Sequence, residues 1–317
     1  MRNRPLGRSG IQVGELGLGT WGLSGEGYGP CTEENAKATL RAAVDAGASF
    51  VETADCYAEG AMLRWIGELK REAGADRVFA SVRVGVDRDP ANPAPRKDFS
   101  AKYLAGAAEK ALRGMGVEAL DAVVLHNPTA KALLRGEPWQ TLTDLKTTGK
   151  ARLIGVSAST EETVSAALSL QPDLLVIPYN LCHSALLHHF SRDVGETQVG
   201  LVVRSPLAYG LLADNWPASR RFTDDDHRLY RWTPKELVRR GRQRDVLRGA
   251  LVKPPLTTLR QAALGFALSN GLVSVVVPGA RTPGQATENA TAFDGGPYLP
   301  DAVMADLGTI LAKADAA

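Results

Sequence analysis

The stretch Val51-Glu-Thr-Ala-Asp-Cys-Tyr57 leaves an apolar run and sets a carboxylate, Glu52, and a phenol, Tyr57, on either side of a small-residue turn. Two readings are open: these are the first polar residues of a surface loop, or they are two parts of a proton-transfer site. Two further groups stand at equivalent places. Val78-Phe-Ala-Ser-Val82 runs into Arg83, and Asp121-Ala-Val-Val-Leu125 runs into His126, just before Asn127-Pro128. A phenol with a pKa near ~10 is a weak acid at neutral pH, and a fixed cation and an imidazole beside it ease proton donation by stabilising its anion. Singly, each has a plainer explanation, such as a histidine that only caps a strand. Convergence of the four on one spot is what would make them a site.

Such convergence needs elements that bring separate segments together. Strand-like apolar runs occur at 16–20, 50–53, 78–82, 122–125, 153–156, 174–177, 201–203 and 273–277. Between them lie helical patterns at 33–46, 62–73, 100–115, 139–148, 161–170, 185–194 and 259–270. Thr32 before Glu33-Glu34 and Thr160 before Glu161-Glu162 are N-cap signals. Continuous apolar strands alternating with amphipathic helices predict an α/β fold, a parallel sheet covered by helices. Eight such runs point to a closed (β/α)8 TIM barrel, here a single domain over residues 1–317. The first residues alternate around Ser9-Gly10 and predict an N-terminal hairpin that plugs one end. A charged segment, 211–255, holds the capping box Thr233-Pro-Lys-Glu236 and predicts a helical insertion before the last strand. In this architecture chemistry sits at the C-terminal ends of the strands, where Glu52, Tyr57, Arg83 and His126 fall.

Composition removes several function classes. With 44% hydrophobic residues and a net charge of +2, neither nucleic acid nor a membrane surface is expected as a partner. Cys31, Cys56 and Cys182 form no CxxC pair, and no apolar leader follows Met1, so a reducing, cytoplasmic location is expected. Gly17-Leu-Gly-Thr-Trp-Gly22 matches a dinucleotide-binding glycine pattern but runs into Ser, Gly and Pro instead of a helix, so it is not a Rossmann loop. His183, His188 and His189 lack the spacing of a ligand set, and no metal is expected. Trp21, Trp216 and Trp232 are candidates to line a pocket for a flat substrate.

Taken together, PLGRSGIQVGELGLGTWG, ETADCY, VVLHNP, RLIGVS, IPYNL, SPLAYGLL and VVVPGARTPGQATEN make the chain resemble the aldo-keto reductase superfamily over nearly its full length. The resemblance implies a barrel that binds NADP(H) without a Rossmann domain and reduces a small aldehyde or ketone by hydride transfer. It places Tyr57 as proton donor and His126 as the group that orients the carbonyl. Glu52 stands where the family has aspartate, and Arg83 where it has lysine. An arginine–glutamate pair can be bidentate, but arginine, with a pKa above ~12, cannot pass its proton on. For the cofactor, the resemblance implies contacts from Gly19, Thr20, Trp21 and Ser157, and from Arg204 at a stacking position. Ser205, Pro206, Leu207 and Gly210 would meet the pyrophosphate, and Gly279, Arg281, Gln285 and Asn289 the adenosine side, Arg281 suiting a 2′-phosphate. Ala158 and Val176 replace residues that would bond the carboxamide. Two other functions stay open: acid–base chemistry without redox, as a lyase or isomerase, or a non-catalytic regulatory protein that keeps the cofactor as a ligand.

Overall fold

The structure, a computed structural model, describes residues 1–89, 92–214, 216, 220–293 and 297–317. Eight parallel strands form one sheet: β1 (Leu18–Gly19), β2 (Phe50–Ala54), β3 (Phe79–Val84), β4 (Leu120–Leu125), β5 (Ala151–Ser157), β6 (Leu174–Pro178), β7 (Gly200–Arg204) and β8 (Val273–Val277), neighbours in sequence being neighbours in the sheet. The ends meet. Leu16 pairs with Val276 and Gly19 with Gly279, so β1 and β8 close the barrel that the alternating pattern predicts. Gly17 lets the start of β1 lie close against β2, because a Cβ there would lie 2.4 Å from the Phe50 carbonyl oxygen.

Side chains along each strand alternate between two cores. Phe50, Phe79, Ala122, Val124, Leu153, Leu174, Val176, Val202, Val275 and Val277 fill the barrel, with Phe50 stacked on Phe79 at 5.3 Å between centroids. Their neighbours Val51, Val82, Val123, Val156 and Val203 face outward, into the larger core under the helices. The predicted hairpin forms between Asn3–Pro5 and Gln12–Gly14, and its Leu6 and Val13 join the interior cluster from below. It is a plug in the literal sense.

The outer layer is α1 (Glu33–Asp45), α2 (Ala61–Ala73), α3 (Ala101–Met115), α4 (Glu137–Thr147), α5 (Glu161–Ser169), α6 (Ser191–Thr197), α7 (Leu259–Ser269) and α8 (Pro283–Ala290). Thr32 and Thr160 accept the backbone N–H bonds that their positions predict. The expected helix over 185–194 is broken in two: Ala185–His189 and α6 are separated where Phe190, packed against the core, leaves helical geometry. The insertion carries the expected helix, Pro234–Leu251, with its complete Thr233–Glu236 capping box. Several elements exceed the sequence reading, α8 and the short helices Ala130–Leu134 and Arg228–Arg231 among them. A second hairpin, Val86–Asp89 with Asn92–Lys97, rises from the end of β3. A final helix, Asp301–Asp315, lies against the insertion helix, where Gln243 Nε2 donates to Asp315 Oδ1 at 2.6 Å. Among the described residues no helix is long and apolar enough to cross a membrane.

Candidate active site

The alternation that fills the barrel also builds its mouth. In β2 Phe50 points in, so Glu52 does too; in β3 Phe79 and Ser81 precede Arg83; in β4 Val124 precedes His126; in β5 Leu153 and Gly155 precede Ser157; in β7 Val202 precedes Arg204. Polar side chains on the inward face stop being core and become site only where each strand runs out of barrel. Tyr57 arrives differently, from the turn after β2, where Ala58 and Glu59 take left-handed φ of 50° and 54°. Non-glycine residues held this way cost roughly 1–3 kcal/mol each and collect at functional sites.

Arg83 is the hub. Its Nη2 donates to the Tyr57 hydroxyl at 2.5 Å, its Nη1 lies 2.8 Å from His126 Nε2, and its Nε is ion-paired with Glu52 Oε1. All four predicted groups therefore meet. Glu52, Tyr57 and Arg83 are only 3%, 5% and 5% exposed. A guanidinium can only donate, so the histidine nitrogen facing it must accept, which puts the proton of a neutral imidazole on Nδ1. That Nδ1 is sealed from solvent and has no hydrogen-bond partner among the described residues. The Tyr57 oxygen accepts from Arg83, leaving its own hydrogen free to be given elsewhere.

The electrostatics keep the phenol and the imidazole neutral, and burial outweighs the Arg83 cation at Tyr57. Burial pushes the Tyr57 phenol up, with the Arg83 cation opposing. Burial raises the Glu52 carboxyl against the pull of Arg83 and Arg204. Burial works against the Arg83 cation, but Glu52 and Tyr57 outweigh it and hold it above its ordinary value. Burial first, then Arg83, Arg204 and Lys97, drives His126 well below the usual imidazole range. The result is a neutral donor, a neutral phenol and a permanent cation tied to a carboxylate.

The residues assigned to the cofactor fall into two groups. Gly19 and Gly279 meet at the barrel seam, Thr20 Oγ1 donates to the Glu52 carbonyl at 3.0 Å, and Arg204 leads into Ser205, Pro206, Leu207 and Gly210. There Ser205, Ala208 and Tyr209 take left-handed φ of 55°, 45° and 59°, the kind of backbone that makes anion-binding concavities. Others are engaged by the protein itself. Ser157 Oγ donates to Asn127 Oδ1 at 2.7 Å, and Gln285 Oε1 accepts the Arg281 N–H at 2.9 Å. The Arg281 guanidinium donates to the carbonyls of Tyr28, Gly29 and Pro30. Asn289 Nδ2 donates to the Gly279 carbonyl at 3.2 Å, leaving a buried Oδ1 without a partner. Trp21 packs 5.2 Å from Tyr28 and 4.5 Å from His227, while Trp216, 5.8 Å from Trp232, and Phe222 lie against Arg228.

Sequence reasoning passed over other groups. Glu26, in the loop after β1, is ion-paired with Arg88 of the second hairpin at 3.0 Å. That loop is also stitched to the insertion, through Gly29 N–H to the Asp225 carbonyl at 3.1 Å and His227 N–H to the Gly27 carbonyl at 2.9 Å. Lys97 Nζ donates to the Asn127 carbonyl beside His126. Asp55, 3% exposed, accepts from Tyr103 at 3.2 Å and is pushed by burial up to about 6. Asp55 stood in the motif, two residues before Tyr57; the others had no motif to announce them. A cavity of about 380 Å³ between the second hairpin and the start of α3, lined by Lys97, Ser100, Thr129 and Arg135, touches none of the four convergent groups.

The model of the aldo/keto reductase family matches residues 15–311. A protein of Oryza sativa subsp. japonica described as a probable voltage-gated potassium channel subunit beta is 29% identical over 330 aligned positions, 96% of this chain and 94% of that protein. Among solved structures, the holo form of aldo-keto reductase AKR11C1 from Bacillus halodurans superposes with a TM-score of 0.80 at 23% identity, covering 99% of this chain and 96% of that one. The glycerol dehydrogenase AKR11B4 from Gluconobacter oxydans gives 0.84 at 22% identity, covering 98% and 95%.

Proposed function

The chain belongs to the aldo/keto reductase family, and on that premise we propose that it is an NADP(H)-dependent oxidoreductase that reduces an aldehyde or ketone with Tyr57 as proton donor. The observation that carries this reading is the Arg83 fork, which holds Tyr57 at 2.5 Å and His126 at 2.8 Å around one point.

The residues present suit a nicotinamide dinucleotide. The left-handed residues Ser205, Ala208, Tyr209 and Gly210 shape a concavity for the pyrophosphate, the bare backbone of Gly19 and Gly279 allows close approach, and the unpartnered Asn289 Oδ1 suits an exocyclic amine. When bound, the nicotinamide supplies the hydride. The chain supplies the rest. Tyr57, its hydroxyl hydrogen unspent, is the donor for the carbonyl oxygen, and neutral His126, whose Nε2 accepts from Arg83, helps to position it. The nearby Arg83 charge favours negative charge developing on that oxygen and, afterwards, on the Tyr57 oxygen. Because Arg83 cannot release a proton, Tyr57 is reprotonated from solvent instead of through its neighbour. Glu52 keeps the cation in place and adds no proton of its own.

The test is NADPH oxidation followed by absorbance against a panel of aldehydes and ketones, with Tyr57→Phe as control. Turnover that the control abolishes supports the reading. Tight NADPH binding with no turnover on any carbonyl would sink it and favour proton chemistry or a binding role.

A further inference from the structure

The four convergent groups balance their own charge. Glu52 answers Arg83, while Tyr57 and His126 are neutral. Arg204 has no such answer. It follows Val202 and Val203 on β7, so the strand alternation carries it over the barrel interior, on the side where Glu52 and Arg83 project. Its side chain is half-buried, and its Nε is closed to solvent without a hydrogen-bond partner. No carboxylate pairs with it among the described residues. Lys97, exposed, adds a second cation near this mouth, its Nζ donating to the Asn127 carbonyl with no carboxylate partner among the described residues, whereas Arg88 has Glu26. Burial lowers the His126 pKa most, and the charges of Arg83, Arg204 and Lys97 act on it in the same direction.

A guanidinium Nε closed to water without an acceptor carries a cost, and a half-buried fork with no carboxylate partner is placed to receive an oxyanion from a ligand. A neutral carbonyl compound seated by its oxygen at Tyr57 and His126 would leave Arg204 as it is. We propose that the substrate carries an oxyanion of its own, a carboxylate or a phosphate, and that Arg204 receives it across its planar fork while the carbonyl faces Tyr57. The inference rests on the reductase reading above and specifies its substrate class. The competing occupant of Arg204 is the cofactor itself, through the pyrophosphate beside Ser205 or a ring against which the guanidinium stacks.

The experiment compares three probes that share one carbonyl: benzaldehyde, 4-carboxybenzaldehyde and 4-formylphenyl phosphate. Binding to the NADP+-loaded protein is measured by calorimetry and reduction by NADPH consumption, in the wild type, Arg204→Met and Arg204→Lys. The expected result is a preference of at least about tenfold for a charged probe over benzaldehyde, shrinking as salt is added. That ratio collapses toward one in Arg204→Met and survives in part in Arg204→Lys, and the better charged probe names the oxyanion. Equal binding of neutral and charged probes to the wild type overturns the proposal. So does a ratio that persists in Arg204→Met, or a ratio untouched while NADP+ affinity falls, which would give Arg204 to the cofactor. Charged-probe binding with no reduction of any probe would instead remove the reductase reading and leave the oxyanion site standing.

Discussion

On the β2 to β4 side of the barrel mouth, Arg83 spends its donors on Glu52, Tyr57 and His126 within a nearly dry pocket. On the β5 to β8 side, Ala158 and Val176 bring no polar group, Arg204 stands unanswered, and Arg281 turns its donors to the main chain. The first side is complete before any ligand arrives and so fixes geometry in advance, as charge stabilisation of a reaction requires. On the proposed reading the second is completed by what binds there. Substitutions on the two sides should therefore differ in kind.

The largest effect belongs to the complete side. Tyr57→Phe should lower kcat by ~10²–10⁴, the range of a lost general acid, with NADPH affinity little changed; single-turnover kinetics and a cofactor titration read the two separately. A comparable loss in affinity would mean that the sides are not separate.

Arg83→Met strands the Glu52 carboxylate, 3% exposed, and should cost ~3–5 kcal/mol in urea unfolding, unless the chain responds by protonating it. Arg204→Met strands no partner and should change stability by less than about 1 kcal/mol. Equal losses would erase the contrast.

Asp55 supplies a pH signature on the same side. Burial raises its pKa from 3.8 to about 6, so the folded state holds this proton more tightly than the unfolded chain. The stability gained from that proton is fully present below about 4 and is lost as pH rises through about 6. Asp55→Asn has no such loss. Its stability relative to wild type should climb across that window by up to ~3 kcal/mol, at ~1.4 kcal/mol per unit, and a flat difference in thermal unfolding from pH 4 to 7 would contradict it.

The smallest effect lies on the open side. Because the Arg281 guanidinium already bonds the carbonyls of Tyr28, Gly29 and Pro30, NADPH should bind no more than about tenfold tighter than NADH, an electrostatic gain of order 1 kcal/mol. Arg281→Met should then loosen the loop after β1 more than it shifts that ratio. A hundredfold preference for NADPH would show Arg281 released to the 2′-phosphate.

Much of this was legible in the chain as written. Continuous apolar runs separated by capped helices predicted the barrel, and the ends of those runs put Glu52, Arg83 and His126 at its mouth. The hairpin Val86–Asp89 with Asn92–Lys97 was hidden because it is short, charged and rich in proline, so its residues lack strand propensity. The helix Asp301–Asp315 was hidden because its partner, Pro234–Leu251, lies far away in sequence.

The sequence by itself determined which side chains would face the mouth, since inward and outward positions follow from strand alternation alone. Tertiary structure decided which of them are spent and which are free. Arg83, Arg204 and Arg281 look alike in the chain, and each became a hub, an open cation or a loop tie according to the acceptors that folding placed within ~3 Å, the range over which hydrogen bonds act.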